Sequence, residues 1–113
     1  MRLRTTVAAA LGALTLLVSL PGSASAAEGR FEYVYTDHHH HEQIAVLAHP
    51  AGRECIPLPG ADKWHERPAH SPRNRTNASA TVFKNADCTG EYYTLRPGGS
   101  AGKGLEMRSV IFS

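Results

Sequence analysis

Residues 36–43 read TDHHHHEQ, with four consecutive histidines in a chain of 113 residues. On an extended segment alternate side chains share a face, so His38 and His40 would point one way and His39 and His41 the other. Either pair offers imidazole nitrogens to Zn²⁺ or Cu²⁺, with Asp37, Glu42 or His49 as third ligands. The spacing is unspecific, because a structural zinc site needs four donors on a rigid frame and this run falls at a hairpin tip. The expectation is an exposed turn, with no required cofactor and with transition-metal binding through His38–His41 as the alternative. Adjacent imidazolium groups repel, so the run is also expected to respond to pH just below neutrality.

A second stretch, WHERPAH at 64–70, approaches the zincin pattern H-E-x-x-H. Its histidines are five apart rather than four, and Pro68 would break the helix that must carry them. No G-x-S-x-G elbow and no glycine-rich phosphate loop occurs, and the carboxylates are scattered singly, without the pairing a glycosidase uses. The expectation is that the chain is not an enzyme.

The amino terminus reads as a secretory leader: Arg2 and Arg4, an apolar run from Val7 to Leu20, then Pro21-Gly22 and an Ala24-Ser25-Ala26 cleavage site. The run is shorter than the roughly 20 apolar residues of a membrane span. Residues 1–26 are thus expected to be removed, and 27–113 to form a single small secreted, extracellular domain. Losing Arg2 and Arg4 takes the twelve basic residues to ten, equal to the ten acidic ones. A neutral chain gives no reason to expect a nucleic-acid partner or an anionic membrane. The nearest basic cluster, Arg67, Arg73 and Arg75, has no interleaved aromatics to stack on bases.

A domain of this size has a marginal core. Two cysteines in an exported chain pair, so Cys55 and Cys88 are expected to form a disulfide. Closing that loop of 33 residues contributes roughly 3.5–4 kcal/mol on a chain-entropy estimate.

Period-2 patterning places strands at 30–36, where Phe31, Tyr33 and Tyr35 alternate with Glu32, Val34 and Thr36, and at 43–48 (QIAVLA). The histidines then sit at the tip of the hairpin between them. A short strand over 53–58 carries Pro57, which suits an edge. Strands at 80–84, 91–95 and 107–112 finish the chain, with a turn at Pro97-Gly98. Residues 62–77 are polar, carry Pro68 and Pro72, and read as a long loop, with Trp64 packing down to pin it. As an outward-facing pair, Trp64 and His65 would instead be a binding surface. Asn74 and Asn77 both open N-glycosylation patterns. About six short strands with no helical period outside the leader point to an all-β sandwich or small barrel.

The segment VFKNADCTGEYYTLRPGG followed by LEMRSVIF resembles the Greek-key signature of the βγ-crystallin superfamily. The match runs from Ala80 to Phe112: Phe83 stands at the first aromatic place, Cys88 at the second, and Gly90 at the glycine corner. The resemblance implies a βγ-crystallin-like Greek-key fold, with the disulfide replacing the packing of the second aromatic. The calcium motif of that family is not carried over, since its places hold Gly104, Leu105, Glu106, Met107, Arg108 and Ser109, and calcium needs six to eight oxygens. The chain also resembles small secreted actinobacterial proteins of this type, one branch of which inhibits metalloproteases. The expectation is therefore a monomeric, non-enzymatic binding module whose partner is an extracellular protein such as a protease. The remaining alternative is a structural domain of the cell envelope displaying Tyr33, Tyr35, Tyr92 or Tyr93.

Overall fold

A computed structural model of the protein describes residues 26–113. The expected leader, residues 1–26, lies outside the described residues except for Ala26. Among the described residues no helix is long and apolar enough to cross a membrane.

The aromatic alternation near the start builds β1 (Gly29–Thr36), in which Phe31 and Tyr33 are fully buried and Tyr35 half-buried. Five residues later the chain returns as β2 (Glu42–Ala48), antiparallel to β1 with Thr36 opposite Glu42 and Arg30 opposite Ala48. β3 is only Ile56–Pro57. It lies at an edge of its sheet, where Pro57 removes no ladder donor.

The polar stretch does not remain a loop. Its second half forms β4 (His70–Thr76), antiparallel to β1 on the side away from β2. This strand escapes hydrophobic-period reading because its inward residues are Pro72, Asn74 and Thr76. Asn74 is buried, with every polar atom engaged. Its Nδ2 donates to the carbonyls of Ala78 (2.8 Å), Leu95 (3.0 Å) and Arg96 (3.1 Å), and its Oδ1 accepts from the amide and hydroxyl of Thr76. A satisfied amide is tolerated in a core where an unpaired one is not. Pro72 is accommodated by a register shift between Glu32 and Val34, with Ser71 at φ 55°.

The second sheet holds β5 (Ala80–Phe83), β6 (Tyr92–Leu95) and β7 (Ser109–Phe112) in the order β3-β7-β5-β6, against β2-β1-β4 in the first. The described residues are thus all-β, a small sandwich of seven strands. Between the sheets lie Phe31, Tyr33, Leu58, Val82, Met107, Val110 and Phe112, all buried. The rings of Phe31 and Phe112 meet edge to face across the layers, centroids 5.4 Å apart. Each such side chain contributes about 1.5–3 kcal/mol by leaving water. Tyr33 is part of this core, not a surface residue. Its hydroxyl donates to the Pro59 carbonyl at 2.8 Å, and burial, aided by Tyr35 and Asp62, pushes its phenol well above the ordinary range.

Cys55 and Cys88 are bonded, with Cα atoms 5.9 Å apart. The bond ties the start of β3 to the turn between β5 and β6. In that turn Gly90 takes φ +88°, and a Cβ there would lie 2.8 Å from Asn85 Nδ2. Buried Ser109 on β7 completes the corner: its Oγ accepts from the Cys88 amide at 3.0 Å and donates to the Asn85 carbonyl. Phe83 is half-buried against Tyr92, ring centroids 6.0 Å apart. After β6, Gly99 donates to the Arg96 carbonyl at 2.8 Å with Gly98 at φ +82° between them, the Pro97-Gly98 turn expected from sequence.

Candidate functional site

Asp37 shapes the histidine tip. Its Oδ1 accepts from the amides of His39 and His41, both at 2.9 Å, and its Oδ2 accepts from Gln43 Nε2 at 3.1 Å. The His40 amide donates to the Asp37 carbonyl, and His40 takes φ 67°. Asp37 is therefore a turn former. The hydrogen bond from the His41 amide, together with those from Gln43 and His39, holds its carboxyl below the ordinary aspartate range.

The tip is a tight turn and not an extended segment. His38 and His40 both face one cleft, and the rings of His39 and His41 lie 6.4 Å apart. His38 and His39 also stack loosely at 4.1 Å. The three candidate third ligands are engaged elsewhere. Asp37 holds the turn, the Glu42 carboxylate meets His70 Nε2 at 3.1 Å, and His49 accepts from the Gly29 amide at the far end of β2. Among the described residues no group of three or more His, Cys, Asp and Glu side chains is placed to hold a metal ion.

Facing the tip is the 61–67 loop. Its Lys63–Glu66 turn is closed twice: the Glu66 amide donates to the Lys63 carbonyl, and the Lys63 amide donates to Glu66 Oε1, both at 3.0 Å. Trp64 and His65 occupy the turn's corner. Trp64 does not pack down. It is 89% exposed, its ring edge to face with His65 at 5.5 Å. The pinning expected of it is done by Arg108, just before β7. That guanidinium donates to the carbonyls of Ala61 (2.9 Å), Lys63 (2.7 Å) and Glu66 (2.8 Å). Three carbonyls converging on one planar fork fix the loop's backbone, so the tryptophan has no role in holding it.

Between tip and loop runs a cleft of about 460 Å³, lined by Tyr35, Asp37, His38 and His40 on one wall and by His65, Glu66 and Arg67 on the other. The two segments singled out separately in the sequence therefore form one surface. His70 of the zincin-like stretch lies apart from it, in β4 against Glu42 and Ser71. Of the glycosylation patterns, Asn74 is closed by burial, whereas Asn77 is exposed and uses only its Oδ1, on the Glu28 amide. At the calcium-motif positions Arg108 and Ser109 serve the loop and the corner. Among the tyrosines Tyr92 and Tyr93 are the exposed ones, on β6. No local pattern in the sequence marks Arg108 as the residue that holds this loop, since the carbonyls it bonds lie more than forty residues away. Comparison with family models, curated proteins and solved structures finds no match to this chain.

Proposed function

We propose that the protein is a secreted, non-enzymatic binding module that engages an extracellular protein through the Trp64 loop and the histidine tip. The observation that carries this reading is Trp64, 89% exposed at the corner of a loop clamped by Arg108. A large aromatic held outward on a fixed backbone loses little entropy on docking, and tryptophans of this kind are the usual anchors of protein interfaces. The cleft beside it presents a partner's side chain with imidazoles on both walls, His38 and His40 on one and His65 on the other. Secretion is supported by the leader pattern and by the disulfide, a bond that persists in oxidising compartments. The most concrete form is inhibition of an extracellular protease, the loop occupying the enzyme's cleft, as the resemblance of the chain to small secreted proteins with a protease-inhibiting branch implies.

A panel of secreted metallo- and serine proteases, each titrated with the oxidised protein to micromolar concentration, tests it. One enzyme should be inhibited, and Trp64→Ala should weaken that inhibition about 30-fold, the loss of a hot-spot anchor. No inhibition across the panel would remove the protease form. Inhibition unchanged by Trp64→Ala would remove this surface.

A further inference from the structure

β2 is an open edge of the three-stranded sheet. The other edges are protected. β4 is covered by the 99–102 segment, with the Asn74 amide on the Gly99 carbonyl at 2.8 Å and the Ala101 amide on the Pro72 carbonyl at 3.1 Å. β3 has two residues, one of them a proline, and β6 has four. β2 has seven residues, EQIAVLA, with no proline, no lysine or arginine and no bulge. Of the devices by which natural edges avoid pairing, β2 carries only a single charge, Glu42 at its first position.

The ladder phase fixes what this edge offers. At its two ends the Asp37 amide donates to the His41 carbonyl and the His49 amide to the Gly29 carbonyl, both at 2.9 Å and in the same register as the strands. Antiparallel pairs alternate between bonded and non-bonded. The odd-numbered residues of β2 therefore bond to β1, and Glu42, Ile44, Val46 and Ala48 turn their N–H and C=O groups outward. Ile44 and Val46, 72% and 50% exposed, stand on one face of this row.

We propose that β2 is a homodimer edge, pairing antiparallel with β2 of a second copy about a two-fold axis at Ala45 to join the two three-stranded sheets into one. The strand is complementary to itself in this register, which uses its whole length. Ile44 of one copy faces Val46 of the other, and Glu42 faces Ala48, so the outward groups of the four even residues on each side form about eight backbone hydrogen bonds. Branched apolar residues directly opposite each other favour such a pair. No like charges meet. The Glu42–Ala48–Arg30 row places an acid and a base on one face, two strands or about 10 Å apart with only a methyl group between. At the axis the close, non-bonded pair is Ala45 on Ala45, which a larger residue would crowd. The pairing is antiparallel, so the two histidine tips point to opposite ends of the dimer, giving two copies of the candidate binding surface and the avidity of a bivalent binder. One strand pair is a small interface, of the transient class below about 1,200 Å².

Sedimentation velocity of the oxidised protein from about 10 µM to about 1 mM tests this, the range expected of a weak interface. The wild type should shift from monomer to dimer across the series, and Val46→Lys should remain a monomer throughout with an unchanged melting temperature. The register has its own test. Ala45→Cys should oxidise to a covalent dimer, its Cα atoms about 4.5 Å apart at the axis, and Gln43→Cys should not. A wild type monomeric at every concentration overturns the proposal. So does a dimer that persists in Val46→Lys, or cross-linking through Gln43→Cys rather than Ala45→Cys. None of these outcomes bears on protease inhibition.

Discussion

Replacing Arg108 by methionine keeps the aliphatic stem and removes the guanidinium. Three carbonyls lose their donor at once, those of Ala61, Lys63 and Glu66, at 2.7–2.9 Å. Hydrogen bonds to charged groups are worth about 1.5–3 kcal/mol each when sheltered. Only two of the three are partly buried, and exposed carbonyls regain water. The loss is therefore about 2 kcal/mol, which for a domain of this size lowers the melting temperature by about 8–16 °C. The chain holds one tryptophan, and it sits on the loop that Arg108 clamps. Trp64 fluorescence anisotropy therefore reads loop mobility directly. It should fall in Arg108→Met while the far-ultraviolet circular dichroism below the transition stays that of the wild type. Arg108→Lys, which supplies one ammonium in place of a planar fork, should lie between the two. A melting temperature within about 2 °C of wild type, with unchanged anisotropy, would show that the loop holds itself and that the clamp is incidental.

Three further outcomes follow from the same geometry. Asn74→Ala leaves the carbonyls of Ala78, Leu95 and Arg96 without their donor and should cost about 2–4 kcal/mol in chemical denaturation; a loss under about 1 kcal/mol would mean that water replaces the amide. Reducing the Cys55–Cys88 bond frees a 33-residue loop and should cost about 3.5–4 kcal/mol, read by comparing denaturation midpoints with and without reductant. Asp37 has a folded-state pKa below its unfolded one, so what it adds to the tip is present above the ordinary aspartate range and is lost as pH falls below that range. The amide resonances of His39 and His41 should move together in that acid step, and Asp37→Ala should abolish the step while leaving the sheet resonances in place.

Two residue types in the polar stretch explain why β4 was illegible. A strand is read from alternating apolar residues, and here the inward positions hold Asn74 and Thr76, whose polarity is cancelled by each other and by carbonyls from Ala78, Leu95 and Arg96. Trp64 misleads in the opposite sense. Composition says a lone large aromatic in a polar loop should pack inward. What frees it to face water is an arginine more than forty residues away that does the holding instead.

By itself the sequence determined the all-β class, the hairpin with its histidine tip, the pairing of Cys55 with Cys88, and the turn at Pro97-Gly98. Each follows from local signals: alternation along a strand, backbone conformations that favour glycine, or there being only two cysteines to join. The tertiary structure alone decided that β4 is a strand, that Arg108 sets the Trp64 loop, that this loop and the tip share one cleft, and that β2 keeps an open edge. Those are relations between segments distant in the chain, fixed by which carbonyls, amides and side chains meet when the two sheets close on their core.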